Sequence, residues 1–162
     1  MTARIVLLVM ILLFTANCGF KPIHKLSDLN NVNTSYSVKI LNNISREIRE
    51  EINTNIIPVD NEEYSALLTI SESLTPLIIN TNGTVAKYRI EIEINYELIE
   101  VETRKQGSSG MARGSAQYDV GTSEIINEDT KKSMTKIATK SAIQLMVSKL
   151  RSSISKANDN WD

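Results

Sequence analysis

From Tyr88 to Leu98 the chain alternates with a strict period of two. Tyr88, Ile90, Ile92, Ile94, Tyr96 and Leu98 point one way, and Arg89, Glu91, Glu93, Asn95 and Glu97 point the other. Successive side chains of a strand leave opposite faces of a sheet. Alternation this clean therefore demands a sheet with one face packed and one face wet. The rest of the chain must supply the layer that covers the apolar face.

The flanking segments supply it. Residues 36–41 (YSVKIL) alternate and are expected to form the first strand. A helix follows, with Asn42 or Asn43 as cap and Ile44, Ile48 and Ile52 on one face, ending near Pro58. Residues 64–73 read as the next strand, with Tyr64, Ala66, Leu68 and Ile70 on one side. Residues 75–83 (TPLIINTNG) read as a turn-rich link in which Asn82-Gly83 is a hairpin signal. A turn near 103–107 leads to a fourth strand over 110–120, rich in Gly, Ala and Ser.

After Gly121, with Thr122 or Ser123 as cap, a helical stretch runs over 124–156 without Gly or Pro. Its expected apolar stripe is Ile126, Thr130, Met134, Ile137, Ala138, Ala142, Leu145, Met146, Lys149 and Ile154. At 1.5 Å per residue it reaches on the order of 50 Å, close to the ~55 Å of a fully extended strand over 85–101. The expected fold is α+β, a two-layer sandwich in the order β-α-β-β-β-α. A four-stranded, mostly antiparallel sheet carries both helices on one face.

The N-terminus has a different character. Arg4, the apolar run of residues 5–14 and the chain's only cysteine, Cys18, form the layout of a secretion signal processed at a cysteine. The apolar run is about half of the roughly 20 residues a bilayer span needs. Acylation of the Cys18 thiol would make it the mature N-terminus and anchor the chain, each buried methylene contributing about 0.8 kcal/mol. Asn17 stands before the cysteine, where a small residue is usual, and Gly19 at the second mature position favours the outer membrane. The expected organisation is a signal over 1–17, a lipidated N-terminus and tether over 18–34, one domain over 35–156 and a tail over 157–162. The whole chain carries a net charge of −1, which gives no basic excess to favour nucleic acid.

Catalytic and metal chemistry find little support. His24, the sole histidine, lies in the tether with no second imidazole to join it. Ser133 and Lys136 match an S-x-x-K spelling, but the companion motifs of penicillin-recognising enzymes are missing. Glu91, Glu93 and Glu97 on a wet sheet face read as solvated carboxylates. No enzyme activity, cofactor or metal is expected. Two features stand out instead. Leu77, Ile78 and Ile79 are apolar at an expected hairpin end, where they either tuck under the helices or meet a partner or lipid. Lys87 and Arg89 lie close by on the polar face. They either balance Glu91 and Glu93 or bind phosphate on an amphiphile head group.

Read together, these residues resemble the LPS-assembly lipoprotein LptE family in its alphaproteobacterial form. The resemblance rests on Cys18-Gly19-Phe20-Lys21-Pro22, on the segment 64–74 (YSALLTISESL), and on Asn82-Gly83, Ala86, Arg89 and Tyr96-Glu97-Leu98. It implies a non-enzymatic outer-membrane lipoprotein on the periplasmic face. Such a protein plugs the LptD β-barrel, assists its assembly and aids delivery of lipopolysaccharide, with direct contact to it. The LPS-contact candidates, chosen on physical grounds, are Leu77, Ile78, Ile79, Lys87 and Arg89. The alternative is a free-standing periplasm-facing lipoprotein that binds a small ligand or the cell wall, and it calls for a concave apolar pocket. An enzyme ranks last.

Overall fold

The computed structural model describes residues 36–56 and 63–159. The signal, Cys18, the tether, Pro58 and residues 160–162 lie outside the described residues. The elements are β1 (Tyr36–Ile40), α1 (Arg46–Asn55), β2 (Tyr64–Ile79), β3 (Val85–Glu100), β4 (Gln106–Asp119) and α2 (Glu124–Asp159). The sheet order is β1-β2-β3-β4, with β1 parallel to β2 and the other two pairs antiparallel.

The alternation that opened the argument sets the architecture. Ile90, Ile92, Ile94, Tyr96 and Leu98 are buried, and their cross-strand partners on β2 include Ala66, Leu68 and Ile70. Ile48 and Ile52 of α1 and Ala138, Ala142, Ile143, Met146 and Leu150 of α2 join the same core cluster. Both helices therefore cover one face. Burying an isoleucine or leucine fully contributes about 1.5–3 kcal/mol, and this layer supplies that burial many times over. Among the described residues no helix lies on the other face of the sheet.

Several boundaries differ from expectation, each for a physical reason. β2 does not stop at Ser73 but runs on to Ile79, through Pro76. β1 pairs with β2 only over Tyr64 to Leu68, so beyond that point β2 is an edge strand and tolerates a residue without an N–H. The link shrinks to a tight turn in which the Asn80 N–H donates to the Thr84 carbonyl at 2.8 Å and Gly83 takes φ 84°. Similarly, β4 begins at Gln106 rather than Gly110, because its register with β3 continues to the Ile99–Gln106 pair.

Asn42 does not cap α1. Its side chain stands in for one further strand residue, donating to the Ile70 carbonyl at 2.7 Å and accepting from the Ile70 N–H at 3.0 Å. Ser45 holds the N-cap position with extended backbone, but its hydroxyl makes no capping bond. In α2, Asn127 closes the start by clasping both backbone groups of Gly121.

The expected stripe of α2 is only half right. Ala138, Ala142 and Met146 are buried, whereas Ile126, Ile137 and Leu145 are exposed at 64%, 48% and 41%. Lys149 does not pack inward; its ammonium donates to the Met111 carbonyl at 2.6 Å. The buried set is completed by Thr135, Thr139, Ile143 and Leu150. Apolar residues surround this helix, so periodicity could not choose the face. Close approach to the sheet did, at Gly114, which a β-carbon would drive into Ala138. Thr139 stays satisfied inside by donating to the Thr135 carbonyl at 2.7 Å.

Candidate functional site

The β2–β3 hairpin runs well past the level where β1 ends, and its far end carries the five candidate residues. The last core pair before the tip is Tyr88–Tyr118, cross-strand neighbours whose rings stack with centroids 5.7 Å apart. Beyond it β2 departs from regular pairing, with shifts of register between Pro76 and Ile78 and between Ile78 and Ile79. This bulge decides which face each apolar residue takes. Ile78 falls opposite Lys87, and Ile79 falls opposite Val85. The strand's register thus sets Ile78 in the row of Lys87, with Thr75 and Arg89 forming the next row on that face. Directly opposed residues bring their β-carbons to within about 4.5–5.5 Å.

Leu77 is separated from this group. It is the extra residue of the bulge and is half-buried, whereas Ile78 and Ile79 are 50% and 60% exposed. None of the three enters the core cluster. The choice posed by the sequence therefore falls toward an exposed apolar tip for Ile78 and Ile79, within a strand rather than at a turn.

The charges divide in a way the sequence did not show. Arg113 of β4 is the partner of both acidic neighbours, with its guanidinium 2.7 Å from the Glu93 carboxylate and 3.9 Å from that of Glu91. Bonds from Asn95 and from Arg113 hold the Glu93 carboxyl below its ordinary range. Lys87 is balanced instead by Asp119, at 3.2 Å. Arg89 makes no ion pair with any described residue. Charge balance by Glu91 and Glu93 is thus not what occupies Lys87 or Arg89, and Arg89 is the cation left available beside Ile78. The signal for Arg113 was present in the sequence. A β4 residue pairs with Glu93 only once the turn length is known, and the turn spans 101–105 rather than the expected 103–107.

A second feature lies lower on the uncovered face. A groove of 380 Å³ is lined by Leu41, Leu67, Thr69, Asn95, Glu97 and Ser109, among others. It is open and mixed in polarity, unlike a concave apolar pocket. Among the described residues no group of three or more His, Cys, Asp or Glu gathers to hold a metal. Lys136 of the S-x-x-K spelling is tied to Glu50 of α1 at 3.0 Å.

No family model matches the sequence, and no curated protein matches it. Solved structures do. A lipoprotein from Caulobacter crescentus aligns with a TM-score of 0.57 at 11% identity, covering 76% of this chain and 92% of that one. Rare lipoprotein B from Shewanella oneidensis aligns at 0.52 and 13% identity, covering 78% and 97%. Lipoprotein B from Nitrosomonas europaea aligns at 0.51 and 11% identity, covering 69% and 78%. At these identities the likeness is one of architecture, and this chain shares its fold with bacterial lipoproteins.

Proposed function

We propose that this chain is a lipid-anchored, periplasm-facing subunit of an outer-membrane lipopolysaccharide translocon. It acts without catalysis, as a plug and assembly aid for an LptD-type β-barrel, and its hairpin tip meets lipopolysaccharide. The observation that carries the reading is the tip itself, where exposed Ile78 lies one row from Arg89 on the same sheet face and exposed Ile79 continues the apolar patch toward the turn. An amphiphile with phosphates on its head group matches that pairing. Its acyl part covers the isoleucines, and its phosphate forms charge-assisted hydrogen bonds with the guanidinium. Lys87 contributes less, because Asp119 already neutralises it. The fold shared with lipoproteins and the Cys18 signal support the anchoring.

Purification from the native envelope in mild detergent tests the assembly. Stoichiometric recovery with a large barrel protein is expected, and recovery as a lone monomer favours the free-standing lipoprotein instead. Binding to lipopolysaccharide tests the tip. Arg89→Ala is expected to weaken it more than Lys87→Ala. If Lys87→Ala/Arg89→Ala leaves both binding and barrel maturation untouched, the assignment of the tip is wrong.

A further inference from the structure

The near-neutral total charge hides a segregation along the fold. Residues 130–156 contain seven Lys or Arg and no Asp or Glu, so the remaining residues carry eight more acidic than basic side chains. The whole segment lies on α2, and its described lysines are exposed or half-buried while Ala138, Ala142, Ile143, Met146 and Leu150 form the inner face. Lys132, Lys136 and Lys140 recur every four residues and all three are exposed, so they share one side of the helix. Lys136 is engaged with Glu50, but Lys132 and Lys140 make no ion pair with any described residue. Ile137, beside this row, and Leu145, on the other flank of the exposed face, are 48% and 41% exposed although the sequence assigned both to the core.

We infer that the outer face of α2 docks along the surface of an anionic phospholipid bilayer. Charge complementarity selects the partner: a row of ammonium groups meets a plane of phosphates, and each lysine near such a surface strengthens binding about fivefold. The outward aliphatics then enter the boundary between head groups and acyl chains, as in helices that lie in the interface. A purely acidic protein surface would use the lysines and leave Ile137 and Leu145 unexplained. Among the described residues no helix is long and apolar enough to cross a membrane. No Gly or Pro interrupts it, which keeps the face continuous over the length of the sheet. The inference concerns the chain alone, without a barrel, and stands apart from the reading of the hairpin tip.

Amine-reactive footprinting of the full chain, read by mass spectrometry, tests it. The chain is mixed with vesicles of phosphatidylcholine alone or of phosphatidylcholine with phosphatidylglycerol. An acyl anchor holds the chain to both kinds equally, so only the difference between them reports on α2. With the anionic vesicles, labelling of Lys132 and Lys140 is expected to slow severalfold, and raised salt should reverse this. Lys39, exposed on the opposite face of the sheet, should label at one rate throughout. Lys132→Glu/Lys140→Glu alters only exposed positions and should abolish the vesicle-dependent part of the protection of Lys136. An equal change in the labelling of Lys132 and Lys39, equal slowing with both vesicle types, or protection that survives the double substitution would each overturn the inference.

Discussion

Gly114 of β4 and Ala138 of α2 lie so close that a β-carbon on the glycine would overlap the alanine's carbonyl oxygen. It would also come within 2.5 Å of the Ala142 backbone nitrogen. The strand and the helix therefore touch backbone to backbone at the centre of the sandwich. The Gly-, Ala- and Ser-rich composition of β4, poor in residues that favour strands, follows from this contact. Bulk is kept out so that α2 can lie down.

Gly114→Ala should accordingly destabilise, because both obstructing groups are backbone and cannot swing aside. Overpacking of this kind costs about 1–3 kcal/mol, and Gly114→Val should cost more. Urea denaturation measures it. An unchanged midpoint for the alanine variant would mean that the helix is not seated on this strand.

The orientation of α2 is checked by two isoleucines six residues apart. Ile143→Ala removes a side chain that is 1% exposed and should cost about 2–5 kcal/mol. Ile137→Ala removes one that is 48% exposed and should change stability by less than about 0.5 kcal/mol. Chemical denaturation of the pair would show reversed costs if the helix were rotated toward the stripe expected from periodicity.

Asn42 and Ser45 invert the usual rule for a helix start. Asn42→Ala leaves both backbone groups of Ile70 without their partner and should cost about 1–2 kcal/mol. Ser45→Ala, at the N-cap position, should be neutral or slightly stabilising, since the buried hydroxyl finds no hydrogen-bond partner. Thermal melts of the two variants separate these outcomes, and a larger loss for Ser45→Ala would contradict the arrangement.

The acid limb of stability should depend on two carboxylates. Glu50 is held below its ordinary value of 4.5 by hydrogen bonds from Arg46 and Lys136. Glu93 is held below it by Asn95 and Arg113. A group whose folded pKa is depressed contributes fully above its unfolded pKa, and the contribution is lost as pH falls through the folded value. Unfolding free energy should thus be flat above about pH 5 from these two groups and decline below about pH 4.5. Glu50→Gln/Glu93→Gln should flatten that decline in urea titrations across the range. Because both sites meet solvent, added salt should reduce the effect as well.

The elements themselves were largely legible because their signals are local. A period of two over Tyr88–Leu98 and a period of four in Ile48 and Ile52 each belong to a single segment. The turn at Asn82-Gly83 was legible for the same reason, and its glycine does adopt the left-handed backbone. Pro76 misled, because a proline argues against a central strand and nothing local reveals that β1 is too short to make β2 central there. The candidate site was half legible. Ile78, Ile79 and Arg89 were marked by their exposure and charge. The bulge that aligns Ile78 with Lys87 depends on the pairing of β2 with β3, and the partners Asp119 and Arg113 depend on β4's register.

The chain's own order of side chains determined that there would be a sheet with one wet face, two covering helices and a β-α-β-β-β-α succession. Those facts follow from periodicity, which the backbone geometry of each segment converts directly into faces. Tertiary structure alone decided which side of α2 goes inward. Apolar residues occur all round that helix, and the absence of a side chain at Gly114 selects the face bearing Ala138 and Ala142. The same choice leaves Ile137 and the lysines outside, whereas the β3–β4 register settles which cations at the hairpin tip already have partners.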